Sequence, residues 1–350
     1  MRQLRIGIAG AGLIGRRHIE LVQASPSCEL AAIADPSPGA AGVASAAGVP
    51  LLASLDAMLA AHALDGVILA TPNAWHVEGA LACIGAGVPA LIEKPVAHTL
   101  EAGLRLRRAA DAASARLLVG HHRAHSPILA RARQIVQSGR LGAPVAVTGS
   151  AMFYKPDDYF EAGPWRRQAG GGPILINMVH EIGNLRALCG EIVAVQAMAS
   201  SATRGFPVED TVAIGLRFAN GALGTFMLSD SAASARSWEQ TSRENEAYPS
   251  YPDEDCYLIA GTRGSLAVPT MRLKTYARDE DRSWFKPFQA SVAELEREDP
   301  LACQLAHFCD VIRGAAAPLV TVHDGLQNLR VTEAIAEAAR TGRIVDTADA

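Results

Sequence analysis

Up to about residue 122 the chain alternates short apolar runs with Ala-rich stretches whose apolar positions recur every three or four residues. The runs at 4–9, 29–34, 66–70, 89–93 and 116–120 predict buried strands. The stretches at about 14–24, 39–47, 54–62, 74–86 and 99–113 predict the helices between them. Strands linked through helices pair in parallel, so this half predicts a doubly wound parallel sheet. From about residue 144 the pattern shifts to longer alternating strands, at 144–153, 191–200, 210–219, 222–230, 256–260 and 265–268. Asn220-Gly221 is a hairpin signal because both residues tolerate positive φ, and hairpins build an antiparallel sheet. Helices at about 173–189 and 324–341 complete this half, the second expected near the junction of the two domains, and the polar, proline-bearing stretch 236–255 predicts a loop.

The first apolar run breaks into Gly10-Ala11-Gly12-Leu13-Ile14-Gly15 just where a helix opens. Such a turn suits a dinucleotide pyrophosphate. Gly10 permits the tight bend, Gly12 lets the backbone approach the phosphates, and Gly15 lets the helix pack closely on the strand. Leu13 and Ile14 begin the helix, whose unpaired N–H groups attract an anion. Asp35 ends the second strand twenty residues after Gly15, where a carboxylate accepts hydrogen bonds from the adenosine ribose and repels a 2′-phosphate. Pro36-Ser37-Pro38 bring no cation to hold such a phosphate, so NAD is expected over NADP.

The 350 residues suffice for two domains, read as 1–122 and 123–350. With 49% apolar residues and a net charge of −4, the core is ample, and no basic surplus points to nucleic acid or to an anionic membrane. Arg2 and Arg5 precede an apolar run as in a signal peptide, but glycines interrupt that run, and no run approaches the ~18 apolar residues of a membrane helix. Cysteines 28, 83, 189, 256, 303 and 309 are scattered without a Cys-x-x-Cys pair, as expected of reduced thiols in a cytoplasmic protein.

Glu93-Lys94-Pro95 follows an apolar strand, at the carboxyl end where open α/β sheets bind ligands. The Lys94 ammonium there stabilises a developing alkoxide or assists proton transfer; the alternative is a surface pair before a proline turn. At this point the chain resembles the Gfo/Idh/MocA oxidoreductases. The glycine turn, Asp35, Thr71-Pro72-Asn73 with His76, Glu93-Lys94-Pro95, Gly120-His121-His122-Arg123 and Trp165-Arg166-Arg167 carry the resemblance. So do Gly170-Gly171-Gly172 with His180, Glu209-Asp210-Thr211, Gly261-Thr262-Arg263-Gly264-Ser265 and the terminal helix to Thr341-Gly342-Arg343. The resemblance implies an N-terminal Rossmann domain, a C-terminal α/β domain with an open-faced, mainly antiparallel sheet, and a homodimer or homotetramer. It implies a nicotinamide cofactor, a sugar, cyclitol or related diol as substrate, and catalysis by Lys94, often before a cis proline bond. Thr71, Pro72, Asn73 and Glu93 then line the cofactor. His76 and His122 either approach the cofactor or make only local hydrogen bonds.

The helix bearing His180 departs from the family pattern. Many members carry Asp-x-x-x-His, but Ile176 stands at the Asp position here, and Gly183 replaces a later Asp. Asn177 and His180, spaced i and i+3, still share an α-helical face, which keeps His180 a candidate general base. Lys155, Tyr159, Trp165 and Arg166 are further candidates. Lys155 suits a hydroxyl or carboxylate and Trp165 a sugar ring, against the alternative of packing and solvation. No His-x-x-His or His-Glu-x-x-His pair points to a metal. The combined expectation is an NAD-dependent dehydrogenase oxidising a secondary hydroxyl. The rivals are an NAD-dependent hydrolase or lyase using transient oxidation, and a catalytically silent NAD-binding sensor.

Overall fold

The computed structural model describes residues 2–347, so the outermost ends of the two expected domains, residue 1 and residues 348–350, lie outside the described residues. In chain order the first elements are β1 (Leu4–Ala9), α1 (Leu13–Ala24), β2 (Cys28–Ala34), α2 (Ala40–Ala47), β3 (Leu51–Leu52) and α3 (Leu55–Ala61). Then come β4 (Gly66–Leu69), α4 (His76–Ala86), β5 (Ala90–Glu93), α5 (Leu100–Ala113) and β6 (Leu117–Gly120). The later part runs α6 (Pro127–Gln137), β7 (Pro144–Met152), α7 (Asp157–Glu161), α8 (Val179–Cys189), β8 (Ile192–Ser200), β9 (Thr211–Phe218) and β10 (Leu223–Ser229). It ends with α9 (Trp238–Ser242), β11 (Tyr257–Gly261), β12 (Gly264–Val268), β13 (Arg272–Thr275), β14 (Gln289–Val292), α10 (Pro300–Arg313), α11 (Val322–Thr341) and β15 (Val345–Asp346).

Two compact units result, one formed by the chain up to His125 with Pro300–Leu329, the other by Ser126–Asp299 with the chain from Arg330. In the first unit six parallel strands run β3-β2-β1-β4-β5-β6. Their side chains alternate between two cores, as strands covered on both faces require. Ile6, Ile8, Ile33 and Ile68 pack against α1, α2 and Leu305, Phe308 and Ile312 of α10. Val67, Leu69, Ile92 and Val119 pack against α3, α4, α5 and Val322 and Leu326 of α11. The segment 300–329 thus returns to a sheet some two hundred residues earlier in the chain, a discontinuity that the sequence division at 122/123 does not contain. The order reverses between β1 and β4, and an open α/β sheet binds ligands at such a switch point.

In the second unit nine strands run β14-β13-β12-β11-β7-β10-β9-β8-β15. Only β7 and β10 pair in parallel. Gly221, at φ +87, closes the β9–β10 hairpin. One face is covered by α6, α8 and the second half of α11. The other exposes Met198, Leu223, Met227 and Leu258, so the sheet is open-faced. The stretch 236–255 is irregular except for α9, where Trp238 is buried and donates to Glu244 at 2.7 Å.

Candidate active site

At the switch point Gly10 takes φ +98, and a Cβ there would strike the Ala70 carbonyl; a Cβ on Gly15 would strike that of Gly10. Gly12 has nothing within 4 Å of its Cβ position. It precedes α1 without a side-chain cap, so the helix's first N–H groups point into an open cradle. Leu13, at 92% exposure, stands at its rim, and Ile14 is half-buried. Asp35 closes the other side, accepting from Ala11 N at 2.7 Å and Ser37 N at 2.7 Å. Burial would raise its pKa, but the bonds from Ser37 and Ala11 hold it below the usual carboxylate range, so it stays charged. The cradle fits a dinucleotide: amides for the pyrophosphate, and an anionic acceptor for ribose hydroxyls that repels a 2′-phosphate.

Thr71, Pro72 and Asn73 follow β4 at the same sheet edge and lead through a short 3₁₀ turn into α4. His76 is not presented to a ligand. It is buried, with Nε2 2.8 Å from the Thr71 carbonyl and Nδ1 2.8 Å from that of Pro95. It ties the Thr71 loop to the Lys94–Pro95 turn, whose peptide bond is cis. Glu93 also departs from the expected cofactor contact. Its buried carboxylate accepts from His18 of α1 at 2.8 Å and from its own neighbour's Lys94 N at 3.2 Å. Burial opposes the Glu93 charge, but the hydrogen bond and charge of His18 win and keep its pKa low. His18 thereby links the helix of the glycine turn to Lys94, which is half-buried at the end of β5. Sequence reasoning passed over His18, because a lone helical histidine carries no signal until its partner is known. His122 sits in the turn after β6; burial first, then Arg123, pushes its pKa down to about 3, so it is neutral.

The second unit gathers the remaining candidates. Residues Ile174–Met178 form a π-helical turn before α8. A π turn is wider than an α turn, so the i, i+3 argument for Asn177 and His180 does not hold there. Asn177 instead accepts from Lys155 Nζ at 2.8 Å, while His180 lies half-buried in the first turn of α8. Burial, reinforced by Arg166 and Arg204, pushes the Lys155 amine down to about 8 despite Asp230 at 3.8 Å. Arg204 claims Asp230 through Nε at 2.9 Å. Glu209 accepts from Ile174 N at 3.1 Å and so caps the π turn; burial raises its pKa. Asp210 accepts from Thr203 and Arg204 N, each at 3.0 Å, and shapes the β8–β9 connection. The Glu209-Asp210-Thr211 motif is therefore a scaffold for this site. Trp165 is 58% exposed on a short 3₁₀ turn. A cavity of about 380 Å³ adjoins, lined by Tyr154, Asp157, Arg167, Thr203, Arg204 and Phe206 among others.

The model of the oxidoreductase family with an NAD-binding Rossmann fold matches residues 4–121, and that of the GFO/IDH/MocA C-terminal domain matches 129–267. The chain belongs to the GFO/IDH/MocA oxidoreductases. It is 28% identical to the 1,5-anhydro-D-fructose reductase of Ensifer adhaerens over 98% of both chains. It is 23% identical to the inositol 2-dehydrogenase of Rhizobium meliloti over 99% of both. The WlbA dehydrogenase of Bordetella pertussis, solved with NADH and UDP-GlcNAcA, superposes with a TM-score of 0.77 at 26% identity, over 99% of both chains. This GFO/IDH/MocA member is an NAD-dependent oxidoreductase, and the NAD-binding Rossmann match falls on residues 4–121.

Proposed function

We propose that this GFO/IDH/MocA member oxidises a secondary hydroxyl of a sugar, cyclitol or related cyclic diol. The carrying observation is Lys94, set at the carboxyl end of β5 and joined through Glu93 and His18 to the helix of the dinucleotide cradle. NAD, when bound, accepts the hydride; the protein supplies orientation and electrostatics. Lys94 holds the substrate oxygen and stabilises its developing charge, and His180 takes the hydroxyl proton. Lys155, Asn177 and Trp165 hold the rest of the substrate. Thr71, Pro72, Asn73 and His122 line the cofactor, while His76 and Glu93 position their neighbours. The names of the relatives, an anhydrofructose reductase and an inositol dehydrogenase, favour the same substrate class.

We place the protein in the cytoplasm, where its six cysteines stay reduced thiols. Copies pair into a homodimer or homotetramer through the exposed apolar face of the nine-stranded sheet. Offering NAD with a panel of sugars, sugar acids, inositols and cyclic diols tests the activity, following NADH absorbance and product identity together. Stoichiometric NADH and ketone support it. Hydrolysis or elimination without net NADH, or no turnover across the panel despite NAD binding, refutes it.

A further inference from the structure

Two cations of the second unit, Lys155 and Arg166, make no hydrogen bond to a carboxylate of the described residues. The Lys155 ammonium has three donors. One goes to Asn177 at 2.8 Å, and the nearest carboxylate oxygen, on Asp230, is 3.8 Å away, beyond a hydrogen bond. Arg204 already holds that aspartate. Arg166 packs on the same aromatic ring as Lys155: its Cζ is 3.9 Å from the Tyr159 ring centroid, and Lys155 Nζ is 4.8 Å from it. The guanidinium donates to the Tyr159 carbonyl, no carboxylate of the described residues pairs with it, and its Nε is buried without a partner. Gly163 makes room for it, since a Cβ there would stand 3.0 Å from the guanidinium. The charged groups facing Lys155 are Asp230 after β10, Glu239 on α9, Arg166 and Arg204. With Asp157 4.0 Å from Arg204, three carboxylates meet these three cations, and Arg166 is the one cation of the group with no carboxylate partner among the described residues. A buried ammonium and a partly buried guanidinium, each with donors left over after its protein acceptor, suit a ligand that brings its own negative charge.

We propose that Lys155 and Arg166, both against the Tyr159 ring, hold a carboxylate of the substrate, which makes that substrate a polyhydroxy acid and not a neutral polyol. The word substrate rests on the dehydrogenase reading; the anion subsite rests on the geometry of the second unit alone. A carboxylate on Lys155 stabilises the charged amine that burial otherwise disfavours, so binding releases the constraint that holds the amine at about 8. Affinity for the acid therefore falls as pH rises through about 8, while affinity for a neutral analogue does not.

Calorimetry on the intact protein tests this with glucuronate and gluconate, their neutral counterparts glucose and sorbitol, and glucose 6-phosphate. The expected result is at least about tenfold tighter binding of one carboxylate than of its neutral counterpart. That preference is lost in Lys155→Met and in Arg166→Gln, both still binding NADH. Equal affinity for acid and neutral sugar overturns the proposal, and so does preference for the phosphate alone. Should Lys155→Met fail to fold, acetic anhydride labelling of Lys155 in the unaltered protein decides. Protection by the acid and not by its neutral counterpart supports the subsite, and equal labelling rates refute it. Binding of an acid that is never oxidised sinks the dehydrogenase reading and leaves the subsite standing. Oxidation of neutral polyols with no acid preference does the reverse.

Discussion

Glu93 is a buried carboxylate whose two oxygens serve different masters, His18 on one side and the Lys94 amide on the other. Replacing His18 with Leu strands that charge, and losing one partner of a buried pair costs about 3–5 kcal/mol. Urea unfolding of His18→Leu should show a loss of this size, with His18→Gln, which keeps a donor, recovering part of it. Because the folded-state pKa of Glu93 is lowered, the pair stabilises the protein above the ordinary carboxylate pKa of about 4.3. That stability is lost as pH falls through the still lower folded value. Unfolding midpoints of unaltered protein and Glu93→Gln should therefore converge in acid and separate toward neutrality. Lys94 itself gives the sharpest functional test. Lys94→Ala should lower kcat by about 10²–10⁴-fold, the range for a lost acid–base group, while NADH fluorescence titration still shows binding. Undiminished turnover would remove Lys94 from the chemistry. At this scale the sequence exposed Gly10, Asp35 and Lys94, because each stands at a fixed offset from a strand end. It did not expose His18 or Arg204, whose meaning lies in partners 75 and 26 residues away.

Among the elements, two turns decide where chemistry is possible. The glycine turn was legible, since only glycine accepts φ +98 beside the Ala70 carbonyl. Gly10→Ala adds backbone strain of about 1–3 kcal/mol and that steric conflict. Calorimetry should find NADH binding abolished, and circular dichroism a folded second unit. The π turn at Ile174–Met178 was not legible, because its residues read as an ordinary helix start. It is held by Glu209, 35 residues on in the chain, through the Ile174 N–H. Glu209→Leu leaves that N–H unmet, a loss of about 1–3 kcal/mol, and should raise KM more than kcat as Asn177 and Lys155 lose register. An unchanged KM would mean that the cap has no bearing on the substrate side. The helix α10 shows a third case. Its apolar period, Leu305, Phe308, Cys309 and Ile312, stands in the sequence, but nothing local says that it covers Ile6 and Ile68.

For the whole molecule, Cys28, Cys83, Cys189, Cys256 and Cys309 are buried, and Cys303 alone is partly accessible. A thiol reagent on the native protein should label Cys303 first, the other five reacting only on unfolding. Charging the open face of the nine-stranded sheet with Met198→Glu and Leu223→Lys should reduce the particle mass seen by light scattering, without loss of NADH binding. Mass unchanged by that pair would exclude the face as the contact between copies.

By itself the sequence determined the class of fold and the cofactor. Strand and helix periods, a glycine turn and a carboxylate at a set distance are local quantities that a linear reading contains. Tertiary structure decided which side chains meet: Glu93 with His18, Lys155 with Asn177, Arg166 with Tyr159, and 300–329 with the first sheet. Those pairings follow from how the chain folds back on itself, over separations from 7 residues for Arg166 and Tyr159 to 75 for His18 and Glu93, and further still for 300–329. A residue's charge, exposure and remaining hydrogen-bonding capacity exist only once its neighbours are in place.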